Sequence, residues 1–301
     1  MTITPDRFQD LTRRTVVLGG TGTTGRRVAA RLSAAGVPTR AVGRSTPIPF
    51  DWTDASIWRP AVDEARAAYV AYSPDVAAPG ATEVIAELLE TLHGAGVEHV
   101  TLLSGRGEPA ARAAELLVEN SGLSWAVVRS AWFAQNFSEG YLRPAVMGGV
   151  LAIPAGGVTE PFLDVDDLAA VAAATLTDAR HAGRVHELTG PELLTFDDIA
   201  ATLSRAAARP VVFADVTRAD FIDGAIADGI PEDVVVVLDH LFSEILDGRN
   251  SSLTDDVERA LGRPATPFAS FAEAAARAGS WSDAGGASPS GAPVADAAAA
   301  H

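Results

Sequence analysis

A glycine-rich turn near residue 20 has the spacing of a loop that holds a pyrophosphate. Gly20, Gly22 and Gly25 fit the pattern G-x-G-x-x-G, and from Gly19 the same stretch also fits G-x-x-G-x-x-G. A pyrophosphate needs backbone N–H groups at the N-terminus of a helix and no Cβ in its way, and glycine meets both needs. The hydroxyls that could add donors belong to Thr21, Thr23 and Thr24. We therefore predict dinucleotide binding here; the alternative is a turn that packs a helix on a strand without a ligand.

An arginine and a serine follow the next apolar run, where the ribose of a dinucleotide is expected. An acid at this place accepts a hydrogen bond from the ribose 2′-hydroxyl of NAD, but this chain has Arg44 and Ser45. A guanidinium forms bidentate, charge-assisted hydrogen bonds with a 2′-phosphate, and Ser45 can add another hydrogen bond. The pair favours NADP over NAD. The alternative for Arg44 is a solvated loop residue.

Asp51 and Trp52 are placed to meet the adenine. The carboxylate of Asp51 can accept from the adenine amino group, and the ring of Trp52 can stack beside it. A place in the core or in a lid is the alternative for Trp52.

The composition removes several kinds of chemistry. All 23 basic residues are arginine, so there is no lysine for a Schiff base, a P-loop or a Tyr-x-x-x-Lys pair. The absence of cysteine excludes disulfides, cysteine-ligated metals and a thiol nucleophile. The six histidines show neither H-x-x-x-H nor H-E-x-x-H spacing, so we predict no metal site.

The charge balance argues against two classes of partner. A formal net charge of −16 without a basic block repels nucleic acid and anionic lipid. The first residues lack the apolar core of a signal peptide, and no apolar run approaches the roughly 20 residues of a membrane span. We expect a soluble cytoplasmic protein that binds neither nucleic acid nor membrane.

Strands and helices alternate through the first half of the chain. This alternation predicts βαβ units and a parallel sheet, and hence an α/β fold of the Rossmann type, doubly wound, with a smaller and mostly helical C-terminal substrate region. The predicted strands are 15–18, 39–42, a short one at 50–51, 68–72, 97–103 and 125–128. The predicted helices between them are the Arg/Ala/Val/Leu-rich stretch that follows the glycines and ends at 35, then 55–65, 83–92 and 110–120.

Helical patterns dominate after about residue 129. Thr195 and Asp198 have the spacing of a capping box before a helix that ends near residue 207. The last residues are rich in Gly, Ser, Pro and Ala, which is typical of a disordered tail. We predict an N-terminal extension (1–13), an NADP-binding core (14–135), a substrate-binding region interleaved with that core (136–280) and a disordered tail (281–301).

Several stretches together resemble the NmrA-like group of the atypical short-chain dehydrogenase/reductases. Within that group the chain is similar to the branch of ergot-alkaloid-biosynthesis-type reductases and its bacterial relatives. The resemblance covers roughly residues 14–275, and its motifs are specific in combination. They are TVVLGGTGTTGRRVAARL (15–32), FDWTD (50–54), HVTLLSGRG (99–107), ELLVENSGLSWAVVRSAWFAQNF (115–137), PFLDVDDLAAVAAATL (161–176), HELTGPELLTFDDIA (186–200) and TDDVERALGRP (254–264).

The resemblance implies NADP(H) as the cofactor and assigns residues to it. It implies that Arg44 holds the 2′-phosphate, that Ser104 faces the nicotinamide, and that residues 129–136 form a wall where the substrate region meets the cofactor. It implies a further three sets: Gly19, Gly22 and Gly25 at the pyrophosphate; Asp51 and Trp52 beside the adenine; Tyr72, Ser73 and Pro74 along the cofactor.

The chain departs from the wider superfamily at its usual catalytic pair. The helix after Ser104 begins at Pro109 and holds neither tyrosine nor lysine up to Glu115. Members of the NmrA-like group commonly lack the pair; some still reduce quinones, iminium ions or conjugated alkenes, and others sense the cofactor without chemistry. The predicted role of Glu115 is structural, in an ion pair with Arg112 one helical turn away.

The absence of the Tyr-x-x-x-Lys pair narrows the classes of acceptor that the protein can reduce. A ketone needs a general acid near its oxygen, whereas an iminium carbon is already electrophilic and a quinone can take its proton from water. We therefore predict an activated acceptor. The candidate catalytic groups are Tyr72, at the end of a strand, and Ser104; their alternatives are a place beside the cofactor for Tyr72 and a cap on the following turn for Ser104.

Aromatic residues after the last strand of the core suit a flat, apolar substrate. The alternative for them is a place in the core. Arg106 could orient an anionic substrate, and its alternative is a surface loop charge. The predicted substrate-pocket residues are Arg106, Trp132, Phe133, Asn136 and Phe137.

These observations predict an NADP(H)-dependent oxidoreductase that transfers hydride to a small, flat or cyclic activated acceptor, in secondary metabolism. One alternative is a non-catalytic NADP(H)-sensing regulatory protein of the NmrA type. Another is a non-redox tailoring enzyme that keeps the cofactor as a structural element.

Overall fold

Six parallel strands form the main sheet. The computed structural model describes residues 13–282, apart from residues 228 and 231. The strands of this part are β1 (Arg14–Leu18), β2 (Thr39–Val42), β3 (Ala65–Val70), β4 (His99–Gly105), β5 (Ser124–Ser130), β6 (Val150–Ile153), β7 (Arg184–Leu188) and β8 (Val212–Asp215). The sheet order is β2-β1-β3-β4-β5-β7, and β6 pairs in parallel with β8. The predicted α/β class with a parallel sheet is confirmed.

Helices cover both faces of the six-stranded sheet. The helices of the described chain are α1 (Thr23–Ala34), α2 (Trp58–Val62), α3 (Ala81–Gly94), α4 (Pro109–Glu119), α5 (Arg143–Gly148), α6 (Val165–Thr177), α7 (Phe196–Ala206), α8 (Arg218–Ala227), α9 (Glu232–His240), α10 (Asp256–Leu261) and α11 (Phe268–Arg277). Helix α6 packs on α1 and α10, while α3 packs on α2 and α4. Alternate side chains of β4 face α4 and α6, so these two sets of helices lie on opposite faces of the sheet.

Side-chain alternation along β4 explains how one strand serves two faces. Val100 and Leu102 belong to the apolar core with α3 and α4, whereas Thr101 shares a hydrogen bond of 2.9 Å with Thr175 of α6. His99 lies on the Thr101 side, with Nε2 3.2 Å from the Thr101 hydroxyl. Burial lowers the pKa of His99 to about 3, so this histidine is a neutral core residue.

The chain divides into two compact units. Unit 1 comprises the described residues up to Ser130, Val165–Leu188 and Asp256–Arg263; unit 2 comprises Ala131–Asp164, Thr189–Asp255 and the described residues from Pro264. Each unit has its own apolar core. The division falls at residue 130, five residues before the predicted end of the core, because Ser130 is the last residue of β5.

The predicted third strand at 50–51 is wrong. Phe50 and Asp51 form no strand, and the segment has only an isolated bridge between Gly43 and Pro49. Pro47 and Pro49 lack the N–H groups that a ladder needs. The predicted helix 55–65 ends at Val62, and β3 begins at Ala65 rather than at residue 68.

The ends of the chain and one capping box were also predicted. The Thr195 hydroxyl accepts from the Asp198 N–H at 3.2 Å and the Asp198 carboxylate accepts from the Thr195 N–H at 3.0 Å, which confirms the capping box. Trp281, assigned to the tail, is buried and its Nε1 donates to the Phe137 carbonyl at 2.8 Å. The rest of that tail and residues 1–12 of the N-terminal extension lie outside the described residues. None of the described helices is long and apolar enough to cross a membrane.

Candidate cofactor site and acceptor residues

The site lies where the order of the sheet reverses. β1 is flanked by β2 and β3, so the segments that follow β1 and β3 leave the same edge side by side. A Cβ at Gly19, after β1, would lie 2.8 Å from the carbonyl oxygen of Ala71, after β3. In open parallel sheets this crevice is the usual place for a ligand.

Three glycines of the turn are required by the fold itself. Gly19 has φ +74°, in the left-handed region that favours glycine. A Cβ at Gly20 would lie 2.7 Å from the Cβ of Ala41, and a Cβ at Gly25 would lie 2.2 Å from the carbonyl oxygen of Gly19. These contacts let α1 begin directly against β1 and β2.

Gly22 is different, because the fold alone does not require a glycine there. Its φ of −75° and ψ of 177° suit any residue, and an added Cβ would meet only the carbonyl oxygen of Gly19, at 3.3 Å. That contact needs a shift of a few tenths of an ångström. The missing side chain therefore leaves open space in front of the helix, as close approach of a pyrophosphate requires.

The N-terminus of α1 carries an uncompensated positive dipole end. Gly22 is the N-cap and makes no side-chain cap, and the first turn contains no acidic residue. Thr21 is exposed, and Thr23 is half-buried. A helix start with these features binds an anion through its backbone N–H groups.

Arg44 and Ser45 project from a tight turn after β2. The Thr46 hydroxyl fixes this turn, donating to the Gly43 carbonyl at 2.8 Å and accepting from the Gly43 N–H at 3.0 Å. Arg44 and Ser45 are both exposed. Within the part of the chain that the structure describes, Arg44 has no ion pair or hydrogen bond, so its guanidinium is available to an added phosphate.

Asp51 and Trp52 lie in the connection that leads to α2. The Asp51 Oδ1 accepts from the backbone N–H of Thr53 at 2.9 Å and from its hydroxyl at 2.8 Å, and these hydrogen bonds lower the pKa of Asp51. The ring of Trp52 lies 4.7 Å from that of Phe50 and 5.0 Å from that of Tyr72. Trp52 is half-buried at the edge of the core, between the two predicted alternatives.

The segment after β3 brings three predicted residues to the same edge. Tyr72, Ser73 and Pro74 are all half-buried, directly beyond Ala71. Burial, followed by the charge of Glu83, raises the pKa of Tyr72 above its ordinary value. The phenol is therefore a poor proton donor at neutral pH.

Asp75 follows this segment and did not attract attention in the sequence. It is 6% exposed, and its Oδ1 accepts from the Ala77 N–H at 2.6 Å. Burial raises the pKa of Asp75 to about 6, although the Ala77 hydrogen bond opposes the shift. The signal that could have identified it is a carboxylate placed just after a strand at the switch point.

Ser104 belongs to a buried network of charged groups. Its hydroxyl donates to Glu115 Oε1 at 2.6 Å, and both residues are completely buried. Arg129 donates to the two oxygens of Glu115 at 2.9 and 2.6 Å, and Arg112 donates to Oε2 at 3.0 Å. The structural role of Glu115 and its ion pair with Arg112 are confirmed. Because the Ser104 hydroxyl already donates its hydrogen bond to Glu115, its proton is not available to an acceptor in this arrangement.

The same network includes Arg106. Its Nε donates to Glu187 Oε1 at 2.8 Å, and Arg129 Nη1 donates to Glu187 Oε2 at 2.8 Å. Arg106 is only 7% exposed, so the alternative of a surface loop charge is wrong. Burial opposes ionisation of Glu115 and Glu187, but the arginine hydrogen bonds outweigh it and lower the pKa of both.

The predicted aromatic residues lie in unit 2. Phe137 packs edge-on against Phe162 at 5.5 Å and against Phe268 at 5.6 Å, in the apolar core. The ring of Trp132 lies 5.1 Å from that of Phe242, which also contacts Tyr141 at 6.3 Å. Phe133 and Asn136 are buried as well. The structure therefore gives Phe137 the packing role that was its alternative.

Two polar groups of unit 2 lack partners in the described residues. The Asn136 Nδ2 and the Tyr141 hydroxyl are buried without a hydrogen bond. Such groups carry a desolvation cost of about 1–3 kcal/mol unless something else satisfies them.

The predicted cofactor residues share unit 1, and the predicted substrate residues other than Arg106 belong to unit 2.

The chain resembles reductases along most of its length. It is 31% identical over 274 residues to (4-alkanoyl-5-oxo-2,5-dihydrofuran-3-yl)methyl phosphate reductase of Streptomyces griseus, covering 84% of this chain and 94% of that protein. It is 28% identical over 281 residues to NAD(P)H azoreductase of Xenophilus azovorans, covering 87% and 98%. The solved structure of Citrobacter sp. triphenylmethane reductase complexed with NADP(H) shares the fold, with a TM-score of 0.74 at 21% identity over 87% and 99% of the two chains. No family model matches the chain.

The contrast between Gly22 and Gly25 generates a prediction. Gly22→Ala should leave the fold intact but raise the dissociation constant of NADPH by roughly tenfold or more, because the new methyl group occupies the space for the pyrophosphate. Gly25→Ala is the control for fold. It should destabilise the protein by about 1–3 kcal/mol, since its Cβ collides with backbone.

Thermal unfolding and NADPH fluorescence titration of both variants check this prediction. Unchanged affinity in Gly22→Ala would remove the pyrophosphate from this turn.

Proposed function

Because the chain belongs to the NmrA-like family of atypical short-chain dehydrogenase/reductases, a family of NAD(P)H-dependent reductases, we propose that it uses NADPH to reduce a small, activated acceptor. The observation that carries the proposal is Gly22, whose open space serves no need of the fold. The proposal includes the narrower place of the chain in the ergot-alkaloid branch and a role in secondary metabolism.

The preference for NADPH rests on the turn after β2. Arg44 is exposed and unpaired among the described residues, and Ser45 is exposed beside it. The chain has no acid between them and β2 that would accept from a ribose 2′-hydroxyl. A 2′-phosphate supplies the negative charge that this turn lacks.

The acceptor class follows from the hydride chemistry. Bound NADPH supplies a hydride, and the protein supplies position and charge. Ser104 donates its hydrogen bond to the buried network, and Tyr72 is a poor proton donor. Neither hydroxyl therefore serves as the general acid that a plain ketone needs. Quinones, cyclic iminium ions, conjugated alkenes and dyes with electron-poor bonds remain as acceptors.

Unit 2 supports a flat acceptor. The rings of Trp132, Phe221 and Phe242 form one cluster, with 5.1 Å between Trp132 and Phe242 and 5.0 Å between Phe221 and Phe242. Aromatic rings bind flat apolar molecules well, and an unpartnered hydroxyl such as that of Tyr141 can orient them. Trp132 and Phe242 are buried in the apolar core of unit 2, so Phe221, which is half-buried, is the member of this cluster that we propose for contact with an acceptor.

NADPH oxidation at 340 nm tests the proposal. The acceptors are quinones, cyclic imines, enones, azo dyes and cationic triphenylmethane dyes, with NADH in parallel. We expect turnover with at least one class and a preference for NADPH. Tight NADPH binding without turnover on any acceptor would instead support a cofactor-sensing regulatory protein.

Arg44 provides a second prediction. Arg44→Ala should raise the dissociation constant of NADPH about 10- to 100-fold, the value of one charge-assisted hydrogen-bond pair, and change that of NADH little. Arg40→Ala is a matched control, because Arg40 lies in β2, just before the turn with Arg44, but donates to backbone carbonyls 20–23 residues away. Equal losses for both cofactors in Arg44→Ala would contradict the 2′-phosphate assignment.

A further inference from the structure

One buried carboxyl group follows β3 beside the glycine turn, and one of its oxygens has no hydrogen bond within the described chain. Asp75 lies three residues after Tyr72, on the segment that leaves β3 beside the glycine turn. Only 6% of the residue is exposed. Carboxylates are seldom buried without a partner, so its placement needs a reason.

The partners of Asp75 satisfy only half of the group. Oδ1 accepts from the Ala77 N–H at 2.6 Å, and the Asp75 carbonyl accepts from the Ala78 N–H at 3.0 Å. Oδ2 has no hydrogen bond to the described chain, and no arginine or histidine of that part pairs with Asp75. One oxygen is therefore fixed by backbone while the other remains available.

We propose that Asp75 is the proton donor to the acceptor, in place of the missing Tyr-x-x-x-Lys pair. This inference rests on the proposed function. Asp75 lies on the segment that follows β3 at the switch point, and the Ala77 N–H holds one of its two carboxyl oxygens. Unlike the carboxyl groups of Glu115 and Glu187, it has no arginine to keep it ionised.

The other candidate donors are less suitable. The Ser104 hydroxyl already donates to Glu115. Burial raises the pKa of Tyr72, which moves it further from neutrality, whereas the pKa of Asp75 is about 6. A general acid works best when its pKa is near the working pH.

The proposed step balances for an azo acceptor. A hydride with its electron pair adds to one nitrogen, and the N=N π bond breaks. The second nitrogen takes the carboxyl proton of Asp75, which gives a hydrazine, oxidised cofactor and the Asp75 carboxylate. A proton from water restores the acid. Reduction of a cationic triphenylmethane dye needs the hydride alone, because its central carbon is already a cation.

This difference between acceptors defines the experiment. Asp75→Asn retains an oxygen for the Ala77 N–H but has no proton to give. We expect kcat for the azo dye, or for the best acceptor of the panel that needs a proton, to fall about 100-fold or more. We expect kcat for the cationic dye, and the dissociation constant of NADPH, to stay within about twofold of wild type.

Asp54→Asn is the matched control. Asp54 is exposed, and its Oδ1 also accepts from the N–H two residues later, that of Ser56 at 3.1 Å. It loses the same charge in the same type of turn, and it should leave both acceptors unaffected. Equal rates of Asp75→Asn and wild type on the azo dye would overturn the role of Asp75 alone, as would an equal loss on both dyes.

Two outcomes with wild-type protein bear on the proposal as well. Reduction of cationic acceptors only, with none that needs a proton, would overturn the Asp75 assignment but leave the proposed reductase intact. No NADPH oxidation with any acceptor would overturn the proposed function and this inference together.

Discussion

The close backbone contact within the glycine turn is the constraint on which the site in unit 1 depends. A Cβ at Gly25 would lie 2.2 Å from the Gly19 carbonyl oxygen, so α1 can start this near β1 only where side chains are absent. The start of α1 is thereby held at the reversal of the sheet, beside the end of β3. The start of α1, the turn with Arg44 and the segment with Asp75 follow the carboxyl ends of β1, β2 and β3, which are neighbours in the sheet.

The pairing of charges decides which groups remain available for chemistry. Glu115 and Glu187 share Arg129, and each is also bonded to a second arginine, so their charges are neutralised where β4, β5 and β7 end. The Ser104 hydroxyl donates its hydrogen bond to this network. Arg44 stays exposed and unpaired in the described chain, and Asp75 keeps one oxygen free. We propose Arg44 for holding a phosphate and Asp75 for giving a proton.

Local patterns predicted the parts of this molecule that depend on local physics. The glycine spacing, the capping box at Thr195 and the alternation of strands and helices are set by neighbours in the chain. The short strand predicted at 50–51 was wrong because pattern alone cannot distinguish a two-residue strand such as Phe50-Asp51 from an irregular segment. The hydrogen-bond partners of Ser104 and Arg106 were beyond local patterns for another reason. Their partners Glu115 and Glu187 are 11 and 81 residues away: the packing of α4 on β4 brings Glu115 to Ser104, and the register of β4, β5 and β7 brings Glu187 to Arg106.

The burial of Asp75 was also not predictable from the local sequence. Its sequence context, Ser-Pro-Asp, is typical of a solvated turn, where a carboxylate is ordinary. Burial at the edge of the sheet raises the free-energy cost of ionising the Asp75 carboxyl group. That cost depends on the surroundings of the group and not on the local sequence. Trp281 is a second example. The Gly-, Ser-, Pro- and Ala-rich composition of the last residues predicted a disordered tail from residue 281, but the Trp281 indole is buried in unit 2.

Transfer of deuterium from the cofactor tests the central claim most directly. The protein is mixed with NADPH carrying two deuterium atoms at nicotinamide C4 and a cationic triphenylmethane dye, and the colourless product is examined by mass spectrometry. We predict one deuterium on the central carbon for each NADPH oxidised. A product without deuterium, or bound NADPH that is never oxidised, would contradict the account of this chain as a hydride-transferring reductase.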